Sequence, residues 1–308
     1  MADNFSLIKF FKEYPDEESA VRYFERMRWG DEVVCPFCGK THISEMKNHT
    51  PMKYRCRDCR KFFSVRTGTV LTESKLPLQK WLLAIYILTN TTKGISSIQL
   101  AKYLDTTQKT AWFLGHRIRE TWAQGSHKLY GVVEVDETYI GGKETNKHNS
   151  KKRKAGRGAV GKTPVVDAVS RDGGVKAFVA QETNARTLES VIADNVDPTT
   201  TLYTDQHGGY QKMGRMYDHH IVNHSVREFV KGAVYTNGIE SFWAILKRGY
   251  YGIYHSWSVK HLQRYVNEFA IRANMKNVSQ TQKIMITFAC GLNTRLSYKE
   301  LINAKKND

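Results

Sequence analysis

Three acidic residues stand where the surrounding chain is apolar enough to be buried. Asp136 lies inside Val133-Glu134-Val135-Asp136-Glu137-Thr138, which reads as a strand. Asp205 ends the run Leu202-Tyr203-Thr204-Asp205, also strand-like. Glu240 lies in Asn237-Gly238-Ile239-Glu240-Ser241-Phe242-Trp243, which opens a helix whose stripe is Ile239, Phe242, Trp243 and Leu246. Burying an ionised carboxylate is costly unless a metal or hydrogen bonds compensate. Carboxylates on two strands and a helix can hold two divalent cations about 4 Å apart, an arrangement suited to in-line attack on a phosphodiester. Their hard oxygens favour Mg²⁺ or Mn²⁺. Lys247 lies seven residues beyond Glu240 on the same helical face, and with Arg248 it is placed to engage a DNA backbone. Glu134, on the strand face of Asp136, is the nearest rival ligand; Asp167 and Asp172 are weaker ones.

A second group is sulfur-based. Cys35-Pro-Phe-Cys38 and Cys56-Arg-Asp-Cys59 are paired CxxC turns, the arrangement in which four thiolates surround one tetrahedral zinc ion. Gly39 falls where such a turn needs a positive φ. A unit this small buries little, so the metal is expected to supply much of its folding free energy. His42 and His49 are alternative ligands by type but read as loop residues; Cys290 has no partner and reads as a core residue.

The elements that must position these groups follow from periodicity. Helices are expected over Asp16–Trp29, Leu76–Leu88, Ala185–Asn195, Asn237–Arg248 and Ser258–Ala273, and strands over Val132–Ile140, Pro164–Ser170, Val175–Gln181 and Thr201–Thr204, with a further extended run at His220–His224. The fold class is therefore mixed α/β. The expected organisation is an N-terminal helix (1–30), a zinc-binding ribbon (31–72), a helical DNA-binding region (73–126), an α/β catalytic domain (127–275) and a C-terminal tail (276–308).

The helical region has a helix-turn-helix pattern. Ser96–Leu104 gives a first helix with Ile98, Ala101 and Leu104 facing inward, and Asp105-Thr106-Thr107 makes the turn. Gln108–Thr121 gives the second, with Ala111, Leu114 and Ile118 inward and Gln108, Lys109 and Thr110 on the first turn, able to reach bases and phosphates.

Charge agrees with a polyanionic partner. Among 308 residues, 47 Lys and Arg stand against 30 Asp and Glu, a formal +17. Part of the excess is a loop, Lys143–Lys162, that includes Lys151, Lys152, Arg153 and Lys154. Beside a phosphodiester site these side chains would neutralise phosphates. No run approaches the about 20 apolar residues of a membrane helix, and acidic residues interrupt the N-terminus where a signal peptide would be apolar. A cytoplasmic protein without membrane association is expected.

Taken together, several motifs resemble bacterial insertion-sequence transposases of the DDE type with an N-terminal zinc ribbon. They are CPxCG…CRxC followed by Phe63-Ser64-Val65-Arg66-Thr67-Gly68-Thr69; Val135-Asp136-Glu137-Thr138-Tyr139-Ile140-Gly141-Gly142; Tyr203-Thr204-Asp205; Val222-Asn223-His224-Ser225; and Thr236–Trp243 with Lys247-Arg248. The resemblance runs from Asp16 to Asn274. It implies a ribonuclease H-like catalytic fold, Asp136, Asp205 and Glu240 as the metal-binding triad, and recognition of terminal inverted repeats in double-stranded DNA by the N-terminal region. It also implies cleavage and strand transfer by two metal ions. Some relatives carry Asn at the third position, so Asn237 stands as a secondary ligand or helix cap. His207 and His224 are candidates to position substrate or water. Synapsis of two DNA ends implies a homodimer or larger assembly.

Overall fold

The computed structural model describes residues 5–47, 51–152, 159–222 and 237–303. In chain order the elements are α1 (Leu7–Glu13), α2 (Glu17–Trp29), β1 (Ile43–Glu45), β2 (Tyr54–Cys56), β3 (Phe62–Phe63), α3 (Leu78–Asn90), α4 (Ser97–Tyr103) and α5 (Gln108–Thr121). Then follow β4 (Val132–Ile140), β5 (Thr163–Ser170), β6 (Val175–Val179), α6 (Ala185–Asn195), β7 (Thr201–Thr204), β8 (Asp218–Ile221), α7 (Asn237–Gly249), α8 (Val259–Asn274), α9 (Gln280–Cys290) and α10 (Tyr298–Asn303). The chain divides into two compact units. One comprises Met1–Thr91, Ile95–Trp122 and Asn277–Ala304; the other is built mainly from Ala123–Lys276.

In the first unit, α2 starts at a capping box in which the Asp16 carboxylate accepts from the Ser19 amide at 2.8 Å. Strands β1, β2 and β3 form a small antiparallel sheet. Helices α4 and α5 begin at Ser96 and Thr107, whose hydroxyls accept from Gln99 and Thr110. Between them Asp105 takes φ 46°, which turns the chain sharply. Ala111, Leu114 and Ile118 are buried, as the helical pattern requires. The inward face of α4 differs from expectation: Leu100, Ala101 and Leu104 are buried, whereas Ile98 is 62% exposed. On the first turn of α4 it is Ser97, beside Ile98, that meets α5, accepting from Gln108 Nε2.

Within the segment 276–308, expected as a tail, residues 277–303 instead carry α9 and α10 and belong to the first unit. Phe288 meets Phe24 with ring centroids 4.9 Å apart, and Gln280 Nε2 donates to Thr89 Oγ1 at 2.8 Å. The helix α9 has only a weak apolar stripe, so its periodicity is faint. Cys290, expected in the core, is exposed at its end.

The second unit is a five-stranded sheet of order β6-β5-β4-β7-β8. Strands β4, β5 and β6 form an antiparallel meander, while β7 and β8 run parallel to β4 and to each other. Numbered from its own first strand the order is 3-2-1-4-5, the ribonuclease H-like arrangement. One face, with Val133, Val135, Val166 and Ala168, packs against Leu188 and Ile192 of α6. The other, with Ile140, Val165 and Ala177, packs under Ile239, Phe242, Trp243 and Leu246 of α7 and Leu262, Val266 and Phe269 of α8. The edge strand β6 is covered by side chains: the amides of Val175, Ala177 and Val179 donate to Asn274, Gln124 and Gln263 at 2.7, 3.0 and 2.7 Å. This satisfies an edge that would otherwise recruit another strand.

Candidate active site

The alternation of β4 decides which acidic residues share a face. Glu134 and Asp136 point to the α7 side; Glu137 points to the α6 side. Glu134 faces Tyr203 across the parallel β4–β7 pair. Continued two residues, that register brings Asp205, the first residue past β7, alongside Asp136 in the middle of β4, and the two carboxylates are near enough for their charges to interact.

Asp136 Oδ1 accepts from the Glu137 amide at 2.8 Å, and Oδ2 from Trp243 Nε1 of α7 at 3.1 Å. Burial pushes its pKa up from 3.8 to about 6, with the charges of Glu137 and Asp205 adding to the rise. Asp205 Oδ1 accepts from the His207 amide at 2.9 Å. Glu137 is raised first by burial. It accepts from the Tyr210 hydroxyl at 2.6 Å and lies 3.8 Å from His207 Nδ1. Residues Glu137, His207 and Tyr210 thus form a polar cluster beside Asp205. Of these, Tyr210 carried no sequence signal, because it lies in an irregular segment with no periodicity to orient it.

Glu134 has a different task. It is buried, and its Oε2 accepts from the Ile239 amide at 3.1 Å, anchoring the first turn of α7 to the sheet. Arg171 stands 3.4 Å from its Oε1. Glu240 borders the apolar stripe of α7 as expected, but it is exposed, while Ile239, Phe242, Trp243 and Leu246 are buried. Among the described residues, no three acidic side chains bring their oxygens within 4.8 Å of one another. Asp136 and Asp205 are brought together; Glu240 is on the adjacent helix but not closed upon them. Asp172 is exposed in the β5–β6 turn. Lys247 is half-buried and Arg248 exposed on the last turn of α7. Asn237 begins that helix; His49, His224, Arg153 and Lys154 lie outside the described residues.

The raised pKa of Asp136 sets a pH dependence. Its folded-state value lies above the ordinary one, so the folded protein retains a proton that the unfolded chain has released. The contribution is fully present below about pH 4 and is lost as pH rises through about 6. In zinc-loaded protein without added divalent cation, the unfolding midpoint of wild type should fall relative to Asp136→Asn over this window. The difference is at most about 3 kcal/mol. A gap that does not change between pH 4 and 7 would show that the carboxyl titrates normally.

The four cysteines converge. Their sulfurs all lie within 4.8 Å of one another. Cys35 to Cys59 and Cys38 to Cys56 are each 3.6 Å, close to the about 3.8 Å edge of a tetrahedron with zinc–sulfur bonds of about 2.3 Å. Both turns are built alike: the Cys35 amide donates to Lys40 O at 2.9 Å and the Cys56 amide to Lys61 O at 3.0 Å. Gly39 takes φ 71°, as the turn predicts, and Arg60 occupies the matching place at φ 61°. Backbone amides of Cys59 and Asp58 pull the Cys56 thiol down to about 7, toward the thiolate that zinc binds. His42 sits near Asp58, at 3.8 Å, and outside the sulfur cluster.

Of the residues on the first turn of α5, Gln108 and Lys109 are exposed. Gln108 Nε2 donates to Ser97 Oγ at 2.8 Å, Thr110 shares a hydroxyl contact of 2.8 Å with Thr107, and Lys109 Nζ lies 4.9 Å over the Tyr298 ring. Lys151 and Lys152 are exposed.

A ribonuclease H-like sheet with two aspartates beside its parallel strand pair, joined in one chain to a four-cysteine ribbon, defines a class of nucleic-acid-processing proteins. Residues 128–274 match the ISXO2-like transposase domain, and residues 15–62 match the transposase zinc-ribbon domain. These matches span more than half of the chain, which belongs to this family of insertion-sequence transposases. An uncharacterized protein in transposable element ISH50 of Halobacterium salinarum (strain ATCC 700922 / JCM 11081 / NRC-1) is 28% identical over 276 residues, 85% of this chain and 92% of the relative. Among solved structures, a pre-cleavage Mos1 transpososome is 12% identical with a TM-score of 0.27, covering 67% of this chain and 78% of that one. The Mos1 strand transfer complex is 13% identical, also at 0.27, covering 68% and 78%. Likenesses this slight add no weight to the fold. No helix among the described residues is long and apolar enough to cross a membrane.

Proposed function

We propose that this transposase cleaves double-stranded DNA at the ends of its element and joins the freed 3′-hydroxyl to target DNA, in a reaction that requires Mg²⁺ or Mn²⁺. The observation that carries this reading is the nearness of Asp136, in β4, to Asp205, just past the end of β7, beside the helix that bears Glu240. The donor set fits a hard cation: the two aspartates repel one another, and a divalent ion would relieve both the repulsion and the burial cost. Asp136, Asp205 and Glu240 would hold two ions, with Asn237 a secondary contributor. When bound, the ions supply activation of the attacking oxygen and stabilisation of the leaving one.

The protein's own side chains do the rest. Trp243 and the Glu137 amide orient the Asp136 carboxylate, and the His207 amide orients Asp205. Lys247 and Arg248 contact the DNA backbone near the site, and Lys151, Lys152, Arg153 and Lys154 neutralise further phosphates. The zinc ribbon and the first turn of α5, with Gln108, Lys109 and Thr110, recognise the terminal inverted repeats. The protein acts in the cytoplasm as a homodimer or larger assembly when two ends are synapsed.

The test incubates the purified chain and Mg²⁺ with labelled DNA carrying the inverted repeats that flank its gene, plus a target plasmid. Joined products are expected. Cleavage without joining would leave a nuclease, and binding without cleavage a DNA-binding regulator.

A further inference from the structure

Asp167 lies on β5 directly opposite Asp136 of β4 in the antiparallel register, so the two side chains share the α7 face. Asp205, just past the end of β7, lies on the far side of Asp136 from Asp167. Asp167 has no exposed surface, and beyond the amide of the adjacent Ala168 no group among the described residues donates to its carboxylate. Its neighbours on that face are already engaged: Glu134 by the Ile239 amide and Arg171, and Asp136 by Trp243 and the Glu137 amide. Valines and an alanine flank it on its own strand and on β6, where it faces Ala177. Burial raises its pKa well above the ordinary value against the opposing pull of the Ala168 amide, and the charges of Asp136 and Glu134 add to the rise.

A buried carboxyl held by no more than its neighbour's amide is costly. A like group placed directly across the pair adds to that cost. Nothing in the packing requires it, since the adjoining face is apolar and an aliphatic residue would fit the pattern. A cation at Asp136 would give this carboxylate a counter-charge and turn the repulsion into shared ligation.

We propose that Asp167 is a further carboxylate of the divalent-cation site, reaching the ion at Asp136 from the side opposite Asp205. This rests on the cation-dependent reading above and extends it: the deep wall of the site is carried by the sheet, in addition to the helix-borne Glu240.

The test measures Mn²⁺ binding to the full zinc-loaded chain without DNA, by loss of the free-ion paramagnetic resonance signal, in wild type, Asp167→Asn and Asp136→Asn. Asp167→Asn should weaken Mn²⁺ binding about tenfold to a hundredfold. Its unfolding temperature without added Mn²⁺ should not fall, because a buried acid is removed. The rise in unfolding temperature on adding Mn²⁺ should shrink in parallel. Wild-type affinity in Asp167→Asn, with binding lost in Asp136→Asn, overturns this proposal alone. Wild-type affinity in both overturns the cation site itself. Should Asp167→Asn fail to fold, the ¹³Cγ resonance of Asp167 in wild type decides: it should move on Mg²⁺ saturation as far as that of Asp136. If only Asp136 moves, Asp167 is no ligand.

Discussion

Replacing either Asp136 or Asp205 with asparagine is expected to lower DNA cleavage about a thousandfold or more while leaving DNA binding within about twofold. Asparagine keeps the shape of aspartate but removes the charge that neutralises a divalent ion. The stabilisation at stake in the transition state is several kcal/mol, and each 1.4 kcal/mol is a factor of ten in rate. Binding should persist because the proposed contacts to phosphates and bases come from other side chains: Lys151, Lys152, Lys247 and Arg248 in the catalytic unit, and the ribbon and α5 in the other. The fold should persist too. Asparagine keeps a side-chain oxygen at each position, so Trp243 Nε1 and the His207 amide retain an acceptor. The measurement pairs single-turnover cleavage of labelled end DNA with anisotropy binding to the same DNA. Cleavage within tenfold of wild type in either variant, at unchanged Mg²⁺, would remove that residue from the reaction.

Loss of the zinc ion is expected to unfold the ribbon outright. The ribbon's own core is small: Cys35, Tyr54, Cys56 and Phe63 are its buried cluster, and two of those four are metal ligands. Three short strands pair over only a few residues. Structural zinc contributes about 10–16 kcal/mol in comparable small units, far more than two aromatic side chains can replace. Cys56→Ser should therefore abolish stoichiometric zinc and expose residues 31–66 to limited proteolysis. Specific binding to element ends should weaken by at least about tenfold, with the catalytic unit intact. Stoichiometric zinc in Cys56→Ser, with the ribbon still protease-resistant, would show that the remaining ligands suffice. A ribbon that opens without loss of end binding would instead place recognition in α4 and α5 alone.

Much of the catalytic unit could be read from pattern, because its elements announce themselves. Strand β4 matches its expected limits, and so do α5, α6 and β7, since each alternates or repeats strongly against its surroundings. Shorter or weakly amphipathic pieces did not: α9 lies in what read as a tail, and the buried face of α4 is Leu100, Ala101 and Leu104 without Ile98. For α9 the packing partners, Phe24 and Thr89, are distant in sequence, so local periodicity carries no record of them.

The acidic residues divide in the same way. Residue type and spacing were enough to single out four cysteines for one metal ion, because a CxxC turn brings its own two sulfurs together wherever it folds. They were also enough to nominate Asp136, Asp205 and Glu240 as a set. What each carboxylate does depends on neighbours across the sheet. Tertiary structure alone assigns Glu134 to the first turn of α7, leaves Glu240 exposed, gathers Glu137, His207 and Tyr210 beside Asp205, and sets the buried Asp167 opposite Asp136. Strand register is a property of two strands at once, and helix packing of a helix and a sheet. Neither is encoded within any one segment.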